Sequence, residues 1–464
     1  MSINGLNGIF GRVMDGLRVS QRGMGVVANN IANANTPGYA RQFLIQGTGA
    51  FGGSNLSVGV ASLIDPFLER QMVNEFSDLG FLNSRSATLS HLETIVDETN
   101  HEGLNGAMNQ FFNSISELSQ DSSSGILRQN VRERAIALTD QFKGLNAKLQ
   151  NLRRNLSASI SSKIQPVNQM LSDIARLNQS IISTQDQSAK DELKSQQYAI
   201  LQQLSNQMGI TYFEKENQTL NVQMGSGGLT IVEGVNPATF SVSDDLTPGG
   251  TMTINATNPL SGQVTDVTSN ISSGEIGGLL EDRNNTLNDN ILKLNQLAYN
   301  FVSEFNALHS TGYGLDSVTG RNFFVPIAAV DGAASQIDLN PAILSNLDII
   351  AAADADPSVN TGNNAMALQL ADLRDALTME GNSQTFTEYF STMTSSIGMT
   401  TNQTSGQLLS KSGVVNRLQI QRENISGVDM NEEAADLIRY QKAFEASAKV
   451  MSAANQMMDT ILRL

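Results

Sequence analysis

Two of the three histidines in this chain lie among acidic residues, an arrangement that could bind a metal ion. His91 and His101 flank Asp97 and Glu98, and Glu102 follows directly. Zinc sites on helices place two histidines one helical turn apart, as in H-x-x-x-H spacing, and this cluster has no such spacing. We therefore interpret the cluster as a group of surface residues. The sequence predicts no metal site and no other cofactor.

A second candidate for chemistry is the segment from Gly23 to Ala28, which reads GMGVVA and imitates a relaxed dinucleotide-binding fingerprint. Such a fingerprint requires a preceding strand and an acidic residue about 20 positions further on, and the sequence offers neither. It also contains no Cys, no P-loop, no G-x-S-x-G motif and no acidic pair in apolar surroundings. We predict that the protein is not an enzyme. The opposing hypothesis would require a catalytic acid with a strongly shifted pKa and measurable turnover.

The two ends of the chain carry matching heptad patterns, in which apolar residues recur at alternating steps of three and four. Such patterns predict coiled-coil seams. The N-terminal pattern consists of Ile3, Leu6, Phe10, Val13, Leu17, Ser20, Met24, Val27 and Ile31. The C-terminal pattern consists of Met430, Ala434, Leu437, Gln441, Phe444, Ala448, Met451, Asn455, Met458 and Leu462. A long helix with a narrow apolar stripe cannot bury that stripe alone. We therefore expect the ends to pair with each other or with neighbouring subunits; the simpler alternative is a bundle whose termini happen to pack together.

Composition favours a structural protein. The chain has 464 residues, 5% aromatic and 16% charged residues, and a formal net charge of −16. This acidity argues against nucleic acid as a partner, because phosphate contacts need clustered Lys and Arg. No apolar run approaches a membrane-spanning length, so we expect no membrane insertion. The N-terminal segment lacks the basic region and apolar core of a secretory signal, so export would need a route without a cleaved signal peptide.

The interior alternates between helical and strand-like patterns. Helical spacing dominates up to about Met208, while period-two alternation with a Gly-rich turn follows Thr211 and predicts β-hairpins. Helical spacing then returns from Leu280. The sequence thus predicts a mainly α protein with nested, discontinuous domains. They are a terminal coiled-coil assembly domain (1–60 plus 426–464), a helical-bundle core (61–210 plus 275–425) and a small inserted β domain (211–274).

An Asn-rich segment follows the N-terminal pattern, running from Ala28 to Arg41 as ANNIANANTPGYAR. Pro37 ends the helix, and Pro37-Gly38 suits the central positions of a type II turn. Tyr39 could then fold back as an anchor. The Asn side chains could cap the helix end or form hydrogen bonds with a neighbouring subunit. By themselves these features could be only an elaborate helix stop.

The same segment is similar to the signature shared by the axial proteins of the bacterial flagellum, which are the rod, hook and hook-associated proteins. Residues 426–464 resemble the C-terminal end of one such family, hook-associated protein 1, the first hook-filament junction protein. The similarity is clearest at Glu432 to Ala435, Tyr440 to Phe444 and Met457 to Thr460, and inside the chain at Gly278 to Arg283 and Phe305 to Gly312. The resemblance covers most of the chain.

This resemblance implies a ring of identical subunits at the junction between hook and filament, with the terminal helices forming an inner coiled coil. It implies the hook protein as partner on one side and the second hook-filament junction protein on the other. It also implies a dedicated flagellar export chaperone at the C-terminal helix, type III export, and an extracellular location in the flagellum. The nearest alternative is another axial protein, a hook or distal rod subunit. A secreted adhesin or effector is disfavoured by the matched ends.

The long helical stretch at 61–208 favours the junction family, because hook proteins are dominated by β domains between their ends. The residues that we expect to form the assembly interface lie in the two heptad patterns and in the Asn-rich segment. They are Ile3, Leu6, Phe10, Val13, Leu17, Met24, Val27, Ile31, Asn29, Asn30, Asn33, Thr36, Pro37, Gly38, Tyr39, Met430, Ala434, Leu437, Phe444, Ala448, Met451, Met458 and Leu462.

Overall fold

A computed structural model describes residues 3–36, 38–48, 56–97, 103–185, 187–225, 228–245, 247, 249–358, 360 and 362–462. Helices account for most of these residues, as the sequence predicts. The helices are α1 (Ile3–Asn33), α2 (Pro66–Val96), α3 (Leu104–Leu118), α4 (Gly125–Ser183), α5 (Gln187–Gln207), α6 (Gly274–Glu281), α7 (Leu287–His309), α8 (Ala333–Gln336), α9 (Pro341–Ser345), α10 (Ala365–Asp372), α11 (Phe386–Ser426) and α12 (Met430–Leu462).

The helical core is built around α4, which extends for 59 residues. It packs against α3, α5 and α7. The apolar positions that follow helical spacing on α4, from Val131 to Ile174, are buried. At one end of this core, phenylalanines of α3, α7 and the following segment pack with ring centroids 4.9–6.3 Å apart. This burial gives the core its cohesion.

A small β region lies between α5 and α6, so the prediction of an inserted β domain in a mainly α protein is confirmed. One antiparallel sheet has the order β3 (Ile210–Glu214), β4 (Leu220–Met224), β5 (Leu229–Glu233), β6 (Asn236–Pro237). A second has the order β7 (Thr239–Asp244), β8 (Met252–Thr257), β9 (Val264–Asp266). The predicted hairpin around the Gly-rich turn is the β4–β5 pair.

Two features of the fold are not anticipated by the sequence patterns. An antiparallel hairpin of β1 (Gln42–Thr48) and β2 (Leu56–Ser62) follows the Asn-rich segment and contacts α1 and α5. Between α6 and α7, the segment Asp282–Thr286 forms one turn of π-helix. There the buried Arg283 donates hydrogen bonds to Asp244 and to the carbonyls of Asp245 and Gly250, which ties the β7–β8 connection to the helical core.

The first and last helices pair along their length, because α1 and α12 lie in contact. Between them and the core, α11 packs against α2 around Leu68, Met72 and Leu418. The limits of the three discontinuous domains given in the sequence analysis remain a prediction. None of the described helices is both long and apolar enough to cross a membrane.

Candidate assembly site at the paired termini

The contact between α1 and α12 overlaps only partly with the predicted heptads. On α12 the positions that face α1 include Glu433, Tyr440, Ser447 and Ala454, each one residue before a predicted seam position. The predicted positions Ala434, Gln441, Ala448 and Asn455 are exposed, as is Met430. Within a single chain they do not lie between the two helices, and their place in a contact with a neighbouring subunit stays a proposal. The other half of the pattern lies at the edge of the contact. Leu437, Met451 and Met458 are half-buried, and Phe444 is 37% exposed.

The one-residue rotation on α1 is partial: the predicted positions Ser20 and Val27 stay buried, and Gly23 and Asn30 take the places of Met24 and Ile31. Ser20, Gly23, Val27 and Asn30 are buried, whereas the predicted positions Leu17, Met24 and Ile31 are only half-buried. A Cβ on Gly23 would lie 2.6 Å from the Tyr440 ring, and a Cβ on Gly16 would lie 3.1 Å from Ser447 Oγ. Small residues therefore let the two backbones approach closely. The physical reason for the rotation is polar: it brings Asn30 against Glu433.

Asn30 is the centre of a buried hydrogen-bond network at this end of the helix pair. Its amide donates to the Gln42 carbonyl (2.9 Å) and to Glu433 Oε2 (3.0 Å). Its Oδ1 accepts from the Tyr39 hydroxyl (2.8 Å) and from the Gln42 N–H (3.0 Å). All hydrogen-bonding capacity of the Asn30 side chain is thus used, as a buried amide requires. Tyr39 folds back as predicted. Burial, followed by the charges of Glu192 and Glu433, raises the pKa of Tyr39 to about 12, so the hydroxyl keeps the proton that it donates.

Glu433 is an almost fully buried carboxylate, and Arg41 neutralises it. Arg41 Nε donates to Glu433 Oε1 at 2.7 Å, and the same guanidinium reaches Glu432 at 3.0 Å and Asp436 at 3.7 Å. Burial lowers the pKa of Arg41, but the hydrogen bond and charge of Glu433 more than offset this, and the net pKa is raised. A buried carboxylate is tolerated when it is paired and hydrogen-bonded on both oxygens. We call Asn30, Tyr39, Arg41, Gln42 and Glu433 the polar clasp.

A second arginine connects this clasp to the helical core. Arg422 of α11 donates to the carbonyl of Gly38 (2.7 Å) and to Glu69 of α2 (2.6 Å). Gln202 of α5 donates to the other oxygen of Glu69 at 2.7 Å. The Arg41 N–H donates to the Ser426 carbonyl at 2.8 Å. The Asn-rich segment is therefore fixed to both ends of the chain and to the core.

The turn at the end of α1 has the features predicted for type II. Gly38 has a φ of 84°, the left-handed region that a type II turn needs at its third position, and the Tyr39 N–H donates to the Thr36 carbonyl at 3.1 Å. The Thr36 hydroxyl donates to Asn33, whose amide donates to the Asn29 carbonyl. Pro37 lies outside the described residues, and nothing is described of the side chains of Ile3, Leu6 and Leu462.

Two apolar surfaces next to the seam are left uncovered in the single chain. On α12 the exposed apolar positions again follow steps of three and four, and we call them the outward stripe: Ala443, Ala446, Val450, Ala453 and Met457. On α1 the half-buried and exposed apolar residues form what we call the α1 flank: Phe10, Met14, Leu17 and Met24. Val450, Met457 and Met14 are each about half exposed, at 48%, 49% and 50%. A contiguous exposed apolar surface is typical of an interaction site.

Sequence reasoning missed several residues of this site. Arg41 was noted only as the end of the signature, and Glu433 only as part of the family pattern. Their signal was an isolated arginine after an Asn-rich turn, together with an acidic pair at the start of the last helix. Gly16 and Gly23, at a spacing of seven, were a second signal, because glycines at that spacing mark a close approach of backbones.

The candidate residues for chemistry lie elsewhere and are separated. His91 is exposed, whereas His101, Glu98 and Glu102 lie outside the described residues. In the described part of the chain no group of acidic and histidine side chains is arranged to hold a metal ion. His309 is buried, donating from Nδ1 to the Arg321 carbonyl (2.8 Å) and accepting at Nε2 from the Ala351 N–H (2.9 Å). The Gly23 to Ala28 segment lies inside α1, which no strand precedes among the residues described.

Comparison with known proteins identifies the family. Residues 89–324 match the flagellar hook-associated protein FlgK helical domain, about half of the chain. Residues 14–39 match a flagella basal body rod protein family, and residues 421–464 match the C-terminal family of the flagellar basal body rod FlgEFG proteins. The two ends are thus shared with rod and hook proteins, while the interior match is specific to FlgK. The alternative of a hook or distal rod subunit is therefore not favoured.

Whole-chain similarities agree with these matches. The chain is 23% identical to flagellar hook-associated protein 1 of Salmonella typhimurium over 99% of this chain and 100% of that protein. It is 24% identical to the protein of the same name from Bacillus subtilis over 96% of each. Its fold resembles that of the flagellar hook junction protein FlgK from Burkholderia pseudomallei, with a TM-score of 0.68, 15% identity, and coverage of 77% of this chain and 100% of that one. The chain belongs to the FlgK family of flagellar hook-associated proteins, which are structural proteins and not enzymes.

Proposed function

We propose that this structural protein of the hook-filament junction assembles into a ring by packing the outward stripe of α12 against the α1 flank of a neighbouring copy. The outward stripe is made mainly of alanines, whereas the α1 flank consists of large side chains. Small residues on one helix and large ones on the other allow knobs-into-holes packing. A contact between two different surfaces, repeated around an axis, generates a ring when the rotation between copies closes.

The observation that carries this proposal is the exposure of two apolar stripes next to a seam that is already closed. The seam between α1 and α12 is filled by Gly16, Ser20, Gly23 and Tyr440 together with the polar clasp, so it needs no further partner. The stripes beside it are still in contact with water. Burial of apolar surface contributes about 25 cal/mol of free energy per Å², and this free energy is available for assembly.

We propose the partners on the basis of the family resemblance, with the exposed stripes as support. The hook protein and the second hook-filament junction protein would contact the two faces of the ring, in the extracellular part of the flagellum. Before assembly, the exposed stripe of α12 needs a cover against aggregation. A dedicated export chaperone at the C-terminal helix would supply that cover during type III export, without a cleaved signal peptide.

The decisive experiment replaces Val450 of the outward stripe by Asp, in cells that lack their own copy of the protein. Val450→Asp should leave the melting temperature of the purified monomer unchanged, because the side chain is half exposed, but should abolish incorporation into flagella and filament attachment. Ser452→Asp on the opposite side of α12 is the matched control and should assemble normally. Met14→Asp should reproduce the defect from the other side of the contact. Normal filament attachment by Val450→Asp would contradict the proposed contact.

A further inference from the structure

A polar groove lies between α4, α7 and the β7–β8 connection, outside the site described above. It has a volume of about 830 Å³ and is lined by amides, two arginines and two acids, with Leu292 as an exposed apolar spot. The charged residues, Arg153, Arg154, Asp289 and Asp331, balance one another. In a chain with a net charge of −16, this is a neutral, amide-rich surface.

One amide in this groove is left without a partner. Asn146 is only 9% exposed, yet it makes no hydrogen bond to any residue that the structure describes. The polar atoms of this amide are not sealed inside the protein, so they are accessible from the groove. The small remaining exposure of Asn146 is directed to the groove that it lines. Gln150 lies one helical turn further along α4 on the same wall. The groove therefore offers donors and acceptors to a neutral polar ligand.

The chain presents a knob of matching chemistry at the tip of the β8–β9 hairpin. The tip reads Asn258-Pro259-Leu260-Ser261-Gly262-Gln263, carries no charge, and is exposed throughout, with Leu260 at 68%. Asn258 Oδ1 accepts from the N–H groups of Leu260 (2.9 Å) and Ser261 (3.1 Å), and the Gly262 N–H donates to the Asn258 carbonyl at 2.9 Å. These bonds hold the tip in one shape before any partner arrives, which lowers the entropy cost of binding.

The groove and the tip lie at opposite ends of the same strand. β8 begins at Met252, whose backbone bonds to Asn284 at the groove, and it ends at Thr257 just before the tip. Five residue steps of about 3.4 Å separate these ends by about 17 Å. A folded copy therefore cannot place its tip in its own groove. The groove of a neighbouring copy is open to the tip, and such a head-to-tail contact forms a ring when its rotation closes.

We infer that the neutral β8–β9 tip of each copy docks into the amide-rich groove of the next copy, forming a second contact within the proposed ring. Leu260 meets Leu292, and the polar backbone and side chains of the tip supply the missing partner of Asn146. The absence of an aromatic platform among the lining residues favours a peptide over a sugar, whose ring faces stack on aromatic side chains. This inference rests on the proposed function, because it requires copies to lie side by side.

Cysteine cross-linking on assembled flagella tests the contact, and the chain has no cysteine of its own. Ser261→Cys on the tip and Ser335→Cys in the groove, combined in one chain, should give a ladder of covalent multimers on a non-reducing gel after oxidation. Ser261→Cys combined with Ser410→Cys on the exposed face of α11 is the matched control and should give only monomer. Adding Leu260→Asp to the first pair should remove most of the ladder.

A third pair reports whether oxidation works within the assembly. A Cβ on Gly16 would lie 4.0 Å from Ser447 Cβ, within the range of a disulfide. Gly16→Cys with Ser447→Cys should therefore form an intrachain bond. Suppose that this control oxidises and that the tip–groove variant is present in flagella but forms no multimers. That result would overturn the docking inference and leave the proposed ring unaffected. Absence of the wild-type chain from flagella would instead contradict the proposed function.

Discussion

The helical core and the terminal helix pair have similar apolar spacing, but the apolar residues serve different purposes in the two regions. On α4 the residues at helical spacing are buried to the last few per cent, and none of that stripe is available to a partner. On α1 and α12 the closed seam consists of small and polar residues, while much of the apolar surface beside it is exposed. A periodic apolar pattern therefore marks a surface that must be covered, and the covering partner can be the chain itself or another copy.

The strongest test of this comparison removes one aromatic ring from each region. Phe301 is fully buried among other phenylalanines, so Phe301→Ala should destabilise the core by about 3–5 kcal/mol, as large cavities do. Phe444 on α12 is 37% exposed, and Phe444→Ala should cost only about 1 kcal/mol in the monomer. Calorimetry of both variants gives the melting temperatures. Equal losses would show that the termini are packed as tightly as the core.

The next largest effect concerns the polar clasp. Glu433→Ala leaves Arg41 and Asn30 without their shared acceptor, and we expect a loss of about 2–3 kcal/mol, moderated because Arg41 is partly exposed. Glu432→Ala removes a neighbouring, mostly exposed carboxylate and should change little. Hydrogen exchange across residues 427–440 should rise in the first variant only. Equal protection in both would mean that the clasp does not hold α12 in place.

The core differs from the clasp in burying an acid and a histidine whose pKa shifts fall at mildly acidic pH. Burial, against the opposing charge of Arg85, raises the pKa of Asp282 to about 6 from an unfolded value of 3.8. Between these pH values the folded state holds a proton that the unfolded state has lost, so this contribution to stability falls as pH rises. Burial lowers the pKa of His309 to about 4 from 6.5, and its contribution rises with pH over a similar window.

The contributions of Asp282 and His309 to the pH dependence of stability oppose each other. Removing the Asp282 carboxyl should therefore reveal the contribution of His309. The melting temperature of Asp282→Asn should rise more steeply between pH 4 and 6 than that of the wild type, by an amount equivalent to about 1–3 kcal/mol. Asp140→Asn on the exposed face of α4 is the control and should leave the slope unchanged. A parallel slope for Asp282→Asn would show that Asp282 is ionised in the folded protein across this range.

The smallest effect distinguishes the observed seam from the predicted one. Gly25 is exposed and a Cβ there meets nothing within 4 Å, so Gly25→Ala should stabilise α1 by about 0.5–1 kcal/mol through helix propensity. Gly23→Ala would press against the Tyr440 ring and should destabilise the pair by a similar amount. Thermal scans that show a higher melting temperature for Gly25→Ala and a lower one for Gly23→Ala would confirm the rotation. Stabilisation by both would restore the predicted heptads.

Much of the fold was predictable because it depends on local patterns. The helical spacing of α3 and α4, the β4–β5 hairpin with its Gly-rich turn, and the type II turn before Tyr39 all follow from residues close in sequence. The β1–β2 hairpin was missed, because its alternation is weak and its position depends on α1 and α5. The groove at Asn146 had no sequence signal, since its walls come from segments more than 100 residues apart.

Local residue patterns are enough to predict that the two ends are long amphipathic helices, that the segment between Ala28 and Arg41 is a turn, and that the interior is helical with a β insertion. Backbone propensity and apolar periodicity act over a few residues and are legible without a structure. Which face of each terminal helix is used within the chain depends on tertiary packing. That choice depends on one long-range event, the pairing of Asn30 and Arg41 with Glu433, because a buried carboxylate must find its partners wherever they lie in the sequence.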